Sequence, residues 1–300
     1  MVKPFVSIVL CVYNGEQFLK EQLDSVLSQT YPNFELLILD DCSTDNSFAL
    51  AAAYAEKHSN IRLLQNDTNL GFNRNFEKGI QLSNGDLIAI CDQDDIWLPT
   101  KIEELADHIG SAVLIYSNSE LMDEHGQPTN KTLDHNLIHL NRPSYSAFLE
   151  SNFITGHTCI FKKELIPYIL PLPASINYYD WWIGMVAAYV GEVKYYDKTL
   201  TRYRIHTDSV MQQEKQQAET RLAQMERKQK VLRAFTEMAF VKPRDRQFVE
   251  RFLLKKKSAG KGIIQYINCY LFLLQHHRAL YPWYAKSFVK KLNFIRKQCH

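Results

Sequence analysis

The sequence predicts an α/β protein: a doubly wound, mostly parallel sheet flanked by helices, followed by a basic α-helical region. Three observations carry that expectation. The first hundred residues alternate short apolar runs with stretches of helical period at close spacing. The apolar runs are continuous, as in strands buried on both faces. Charge divides along the chain, with 13 Lys and Arg against 26 Asp and Glu in residues 1–200 and 22 against 7 in residues 201–300.

FVSIVLCVY is the first strand. EQFLKEQLDSVLSQT follows as a helix, with Phe18, Leu19, Leu23, Val26 and Leu27 on one face and a stop before Tyr31 and Pro32. FELLILDD is a second strand, and SFALAAAYAEKH a second helix that Ser43 or Asp45 would cap. IRLLQND, NFEKGIQLS and DLIAICD then give strand, helix and strand. This order implies parallel strands joined by right-handed crossovers.

From about residue 112 the pattern changes. AVLIYSNSELMDEHG is a strand and turn, a polar loop runs to about 143, and a short helix, a turn at Gly156 and a strand come next. YYDWWIGMVAAYVG is helical and EVKYYDKTLTRYRIH strand-like. After 210 a helical stripe of Ala218, Leu222, Met225, Leu232 and Phe235 opens a run of basic helices, broken at Pro243, near Gly260 and Gly262, and at Pro282. The expected division is a catalytic domain over 1–210 and a helical region over 211–300.

A hydrophobic content of 46% over 300 residues supports a full core. Six scattered cysteines without a CxxC pair indicate neither a disulfide framework nor a zinc site, and fit a reducing cytoplasmic compartment. The opening MVKPFVSIVLCVYNG lacks a small-residue cleavage site, so it is expected as a strand rather than a signal peptide. IIQYINCYLFLL is interrupted by Gln265 and Asn268 and falls short of the roughly 20 residues that span a bilayer. No nucleic-acid motif accompanies the basic half.

Polar residues gather at the carboxyl ends of the strands, where open α/β sheets bind ligands: Tyr13 and Asn14, Asp40 and Asp41, Asn69 to Arg74, and Asp92 to Asp95. In CDQDDIW, three carboxylates within four positions repel one another unless a cation or a set of donors offsets them. A metal site, a capped turn and a solvated loop all satisfy that demand. A metal there would bridge a diphosphate. Asp40 or Asp41 can accept from a pyrimidine N3–H or a ribose hydroxyl, or cap the next helix. Tyr13 can stack on a base or close the core, and Arg74 can reach a phosphate or a surface acid. NLGFNRN has neither a phosphate-loop lysine nor GxGxxG, which argues against a P-loop or a dinucleotide fold. Trp97 is expected to be exposed and has no assigned role.

Taken together, VSIVLCVYNGEQFLKEQLDSVLSQTYPNFELLILDDCSTDNS, NLGFNRNFEKGI and GDLIAICDQDDIWLPTKIE resemble glycosyltransferase family 2, the inverting GT-A nucleotide-sugar transferases. CDQDDIW with YYDWWIGMVAAYVG and LTRYRIHTDSV is most similar to the rhamnosyltransferase-type branch, and the resemblance covers roughly residues 4–210. It implies that Val12, Tyr13, Asn14, Asp40 or Asp41, Arg74 and Asp92 hold the nucleoside and phosphates. Asp92 and Asp94 would be the DxD pair, with Asp94 the metal ligand, His206 at the metal or diphosphate, and Asp95 beside the donor sugar. Asp180 would be the catalytic base, preceded by Tyr179 where the family commonly has Glu. Trp181 and Trp182 would form a sugar platform or pack in the core.

The implied cofactor is Mg²⁺ or Mn²⁺. The implied donor is dTDP-rhamnose or a UDP-sugar, and the acceptor a bacterial surface glycan or a lipid-linked precursor. A sugar-1-phosphate nucleotidyltransferase is the other enzymatic reading, disfavoured by the lack of a Gly-rich, Arg/Lys-bearing activation loop. A non-catalytic, membrane-associated nucleotide-binding scaffold is the third. Lys255, Lys256, Lys257, Lys261, Lys286, Lys290, Lys291, Arg296 and Lys297 suit peripheral contact with the inner face of an anionic membrane, a solvated helical face, or a homo-oligomer interface.

Overall fold

A computed structural model describes residues 3–133, 140–206, 221–284 and 287–299. The chain forms two compact units. One holds the chain up to Arg142, Phe153–Leu172, and Tyr178 onward through His206; the other holds Pro143–Asn152, Pro173–Asn177 and the helices after 220.

The first unit opens as the apolar runs predict, with β1 (Val6–Val12), α1 (Glu16–Leu27), β2 (Phe34–Asp40), α2 (Ser47–Ala55), β3 (Ile61–Gln65), α3 (Phe72–Leu82) and β4 (Leu87–Cys91). These strands lie parallel in the order β3-β2-β1-β4. Both faces are covered. Ile8, Leu10, Leu36 and Ala89 pack with Leu19, Leu23 and Val26 of α1 in one core, while α3 lies close to Val9 and Leu39 on the other face. That approach depends on Gly79, where a Cβ would fall 2.3 Å from Val9 Cγ1 and 2.9 Å from Leu39 Cδ1. Neither Ser43 nor Asp45 takes the N-cap of α2, which is Asn46 without a side-chain cap bond; Asp45, one residue earlier, accepts the Ser47 amide through Oδ1 at 2.9 Å. Ser43 instead accepts the Asn14 amide at 3.0 Å.

Beyond β4 the sheet becomes mixed. It continues through β5 (Ile96–Trp97), α4 (Lys101–His108), β6 (Leu114–Met122), β7 (Pro128–Thr132), β8 (Cys159–Lys162), α5 (Ile166–Ile169), α6 (Tyr179–Val190) and β9 (Val193–Arg204). The full order is β3-β2-β1-β4-β8-β6-β9-β5, with β7 on β6. β8 runs antiparallel between β4 and β6. The two-residue β5 pairs with β9, setting Ile96 opposite Arg202 and Trp97 opposite Thr201. This pairing ties the acidic loop at one end to β4 and at the other to β9. It also corrects the expectation for Trp97, which is 1% exposed. Its indole faces inward beneath the Lys101 ammonium, 3.8 Å from the ring centroid.

The second unit gathers the short 3-10 turn Tyr145–Leu149 with α7 (Arg221–Glu237), α8 (Pro243–Ser258), α9 (Ile263–Gln275), α10 (His277–Leu280) and α11 (Phe288–Gln298). Phe148, Leu149, Leu232, Phe235, Val249, Phe252, Leu273 and Ile295 are buried. Leu232 and Phe235 thus belong to the predicted stripe, Met225 is half-buried, and Ala218 lies outside the described residues.

Glu150 sits in this unit and accepts from Lys228 at 2.8 Å, from Lys256 at 3.2 Å and from the Tyr281 hydroxyl. Burial pushes its carboxyl up, but the two ammonium groups and the phenol outweigh that and hold it below the usual carboxylate range. Glu150→Ala would leave two lysines without their acid, and is expected to lower unfolding free energy by about 3–5 kcal/mol in urea titrations. A carboxyl that titrates low when folded contributes stability at neutral pH and loses it as pH falls through its folded value, so the penalty should shrink in acid.

Among the described residues, no helix is long and apolar enough to cross a membrane.

Candidate active site

The site is built at the carboxyl edge of β1, β2 and β4. After β1 the backbone turns into the left-handed region at Asn14 (φ 47°), and after β2 it does so at Cys42 (φ 61°). The two turns lock together. Asn14 Oδ1 accepts the Thr44 amide at 2.8 Å, and the Val12 carbonyl accepts the Asp41 amide at 2.7 Å. Tyr13 remains 46% exposed, with its backbone held on both sides by the Gln93 side chain at 2.9 Å and 3.1 Å. An aromatic face is therefore offered to solvent from a fixed backbone.

Asp40 and Asp41 divide the work at the end of β2. Asp41 accepts from Asn66, at 2.7 Å, and from the amides of Leu70 and Gly71, at 2.8 Å and 2.9 Å, so it shapes the loop before α3. Asp40 accepts through Oδ2 from the Ser43 amide and Gln65, while its buried Oδ1 makes no hydrogen bond. That oxygen is the one carboxylate oxygen of the pair left without a donor, and it is closed to solvent. Arg74 is engaged by Glu77 and by the Leu172 carbonyl, the latter at 2.9 Å.

The acidic loop is held by polar side chains of α1 and of the turn that follows it. Gln22 donates to the Asp92 carbonyl at 2.9 Å, Ser25 accepts the Trp97 amide at 3.0 Å, and Gln29 donates to the Leu98 carbonyl at 2.8 Å. Gln22 and Ser25, three residues apart, share one side of α1, and Gln29 follows in the turn just after the helix. From β9, the Arg204 amide donates to Asp95 Oδ1 at 3.1 Å and its guanidinium to the Asp94 carbonyl at 2.8 Å and to Glu21. His206 follows, its Nε2 2.8 Å from Asp94 Oδ2.

The structure adds one residue to the predicted cluster, His157, which is fully buried in the turn before β8. Its Nδ1 lies 3.6 Å from Asp92 Oδ2 and 3.5 Å from Asp95 Oδ2, its Nε2 meets Ser119 Oγ at 2.9 Å, and its ring stacks on Tyr203. Burial pulls this imidazole below its ordinary value, opposed by Asp92. Burial, with Asp94 and Asp92 beside it, pushes the Asp95 carboxyl well above the carboxylate range. The buried Lys101, donating to the His157 carbonyl and at 2.7 Å to Thr201, has its ammonium pulled down to about 8 by burial.

Two sets of donors suit a divalent cation. Asp94 and His206 bring an oxygen and an imidazole nitrogen together at partly open positions. Beside them, ligand atoms of Asp92, Asp95 and His157 lie within 4.8 Å of one another, and the buried Asp95 Oδ2 and His157 Nδ1 make no hydrogen bond. The carboxylates suit Mg²⁺ or Mn²⁺, and the imidazole beside them favours Mn²⁺ of the two.

Asp180 stands in the first turn of α6, its Oδ1 accepting the Trp181 amide at 2.6 Å. It is partly open to solvent, yet protein atoms crowd the carboxyl closely. Burial pushes it up to about 7, Asp92 adds to the rise, and the Trp181 and Gly156 amides oppose it. The preceding Tyr179 is a packing residue. Its amide donates to Asn73 at 3.0 Å, its ring meets Phe76, and a Cβ on Gly156 would fall 2.2 Å from its hydroxyl. Trp182 is fully buried and donates to the Ile169 carbonyl at 2.9 Å, so of the two core or platform alternatives it takes the core and offers no face to a sugar. Trp181 is half-buried.

The family model described as glycosyl transferase family 2 matches residues 7–168, over half the chain and all four strand ends. The chain belongs to glycosyl transferase family 2. An uncharacterized glycosyltransferase of Haemophilus influenzae is 28% identical over 227 residues, covering 68% of this family 2 chain and 66% of its own length. The match to another curated relative, from Bacillus subtilis, spans only 37% of that protein. The Escherichia coli protein WfgD, named a UDP-Glc:α-D-GlcNAc-diphosphoundecaprenol β-1,3-glucosyltransferase, is 28% identical over 179 residues, 59% of this chain and 68% of that one.

Among solved structures, Staphylococcus aureus TarS with UDP-GlcNAc matches with TM-score 0.62 at 16% identity, covering 98% of this chain and 88% of that one. The mannosyltransferase PcManGT of Pyrobaculum calidifontis, with GDP-Man and Mn²⁺, matches with TM-score 0.60 at 13% identity, covering 100% and 86%. These likenesses establish the fold as GT-A.

His157, Arg204, Lys101 and Gln93 escape sequence reasoning because each acts across the sheet. A lone histidine in the apolar stretch FITGHTCIF is the one local signal for His157. For α1 and the turn after it the signal is the polar spacing of Gln22, Ser25 and Gln29.

Proposed function

We propose that the protein is an inverting glycosyltransferase that moves a sugar from a pyrimidine nucleoside-diphosphate donor to a hydroxyl of a glycan or lipid-linked acceptor. The observation that carries this is Asp180, a carboxyl pushed up to about 7 by burial and by Asp92, where a general base works best, in a site whose acidic loop also holds the Asp94–His206 pair. Tyr13 would stack on the base, while Val12 and Asn14 would shape its pocket and the unpaired Oδ1 of Asp40, buried in this structure, would accept from base or ribose once the pocket opens to it. Asp41 would hold the loop around them, with Arg74 at its edge. Asp94 and His206 would hold Mg²⁺ or Mn²⁺, with Asp92 and Asp95 behind them and Trp181 toward the sugar. When bound, the cation supplies positive charge to the departing diphosphate. Asp180 takes the proton from the acceptor hydroxyl as it attacks the anomeric carbon opposite the leaving group.

The donor named for the Escherichia coli relative supports a UDP-sugar, and the CDQDDIW and DWW motifs support a rhamnosyl donor; both present a uracil-type base to Tyr13 and Asp40. The diphosphoundecaprenol in that relative's name supports a lipid-linked acceptor, and with it polysaccharide or cell-wall assembly at the cytoplasmic face of a membrane.

A panel of UDP-, dTDP- and GDP-sugars with Mg²⁺ or Mn²⁺ tests the proposal. Release of nucleoside diphosphate from a pyrimidine donor is the expected result, whereas pyrophosphate as product would mean nucleotidyl transfer. Absence of turnover across the panel, with Asp94→Ala binding nucleotide as well as the parent, would leave only a scaffold.

A further inference from the structure

We propose that the outward face of α9, with exposed residues of α8 and α11, is a docking surface for an anionic lipid membrane. In purpose this rests on the lipid-linked acceptor proposed above; as a binding property it stands on the second unit alone.

α9 is apolar on two sides. Cys269, Phe272 and Leu273 face the unit's own core, whereas Ile263, Ile264, Ile267 and Leu271 are 73%, 68%, 47% and 54% exposed. At about 100° per residue these four fall within an arc of about 100°. Exposed apolar side chains also come from the neighbouring helices, Leu254 of α8 at 64%, and Phe288 and Val289 of α11 at 69% and 67%. Both helices touch α9: Phe248 of α8 meets Phe272 at 5.8 Å between ring centroids, and Tyr266 donates to the Arg296 carbonyl of α11 at 3.4 Å. So many large apolar side chains in water mark a surface that is covered in use.

Charge identifies the cover. Residues 251–300 contain 11 Lys and Arg and no Asp or Glu. Lys257, Lys261, Lys290, Arg296 and Lys297 are exposed. A second copy presenting the same face would set these lysines and arginines against their own kind, an excess that the exposed Glu250 of α8 does not offset. A nucleic acid would satisfy the cations and leave the isoleucines in water. An anionic bilayer answers both, with headgroups for the lysines and acyl chains for the isoleucines. The 13 residues of α9 make a helix of about 20 Å, shorter than the roughly 30 Å hydrocarbon layer, so it lies in the interface plane.

The test is sedimentation of the full chain with phosphatidylcholine vesicles, with and without phosphatidylglycerol. The parent should pellet with the phosphatidylglycerol vesicles and stay in solution with phosphatidylcholine alone. Ile264→Asp/Ile267→Asp and Lys257→Glu/Lys261→Glu should each weaken binding by about tenfold or more, with unchanged thermal melting. The proposal is overturned by a parent that ignores anionic vesicles, by an Ile264→Asp/Ile267→Asp protein that binds them as well as the parent, or by a solution dimer that those substitutions split. UDP titration of the same proteins keeps the two proposals apart: lost vesicle binding with intact UDP binding sinks only the membrane surface, and vesicle binding without UDP binding sinks only the donor reading.

Discussion

Asp180→Asn is expected to lower sugar transfer by about 10²–10⁴-fold, the range in which a positioned general base contributes. Asparagine keeps the shape and can still accept the Trp181 amide, but it cannot take a proton. Nucleotide affinity should therefore stay within about twofold of the parent, because the loss falls on kcat. The pH profile carries the same signature. With its carboxyl pushed up to about 7, Asp180 is protonated and idle below that value and active as the carboxylate above it. The parent's kcat/KM should rise with pH through about 7 and then level, and the residual activity of the variant should lack that rise.

A folding control follows from the sign of the shift. A carboxyl raised in the folded state contributes stability that is fully present below its ordinary value of 3.8 and is lost as pH rises through about 7. At pH above 7 the asparagine protein should thus unfold at no lower urea concentration than the parent. A variant that transfers sugar within tenfold of the parent would remove Asp180 from the chemistry.

The second large effect is on the metal. Asp94→Ala and His206→Ala should each cut transfer by about 10²–10³-fold, as losing one stabilising contact to developing charge does elsewhere. Titration with Mn²⁺ in the presence of UDP, followed by electron paramagnetic resonance, should show weakened ion binding in both proteins. EDTA should abolish the parent's turnover and added Mn²⁺ restore it. Turnover that survives EDTA at full rate would exclude a cation role for this pair and leave the 2.8 Å contact between Asp94 and His206 as a simple ion pair.

Much of the first unit is legible in local pattern. Continuous apolar runs at 5–13, 34–41 and 86–92 can be satisfied only by strands covered on both faces, and the helical spacing between them supplies the covers. The polar residues placed after those runs mark the edge where Tyr13, Asn14, Asp40 and Asp94 gather. Other features have no local signal. β5 is two residues long and exists because β9 lies beside it. PTNKT reads as a polar loop, yet it pairs with β6 as β7. Trp97 beside three acids looks exposed until that pairing turns it inward.

What the sequence determined by itself was the parallel half of the sheet, the acidic strand ends and the split in charge, since each follows from the order of residues within a few turns of chain. Tertiary structure alone decided how the charge at CDQDDIW is offset. Arg204 and His206 arrive about 110 residues later along β9, and His157 about 60 residues later beside β8. It also decided that residues 143–152 join helices beginning after 220, which puts Glu150 between Lys228 and Lys256. The physical reason is common to both cases. A buried charge is stable only beside a partner, and which residue becomes that partner depends on how distant segments pack.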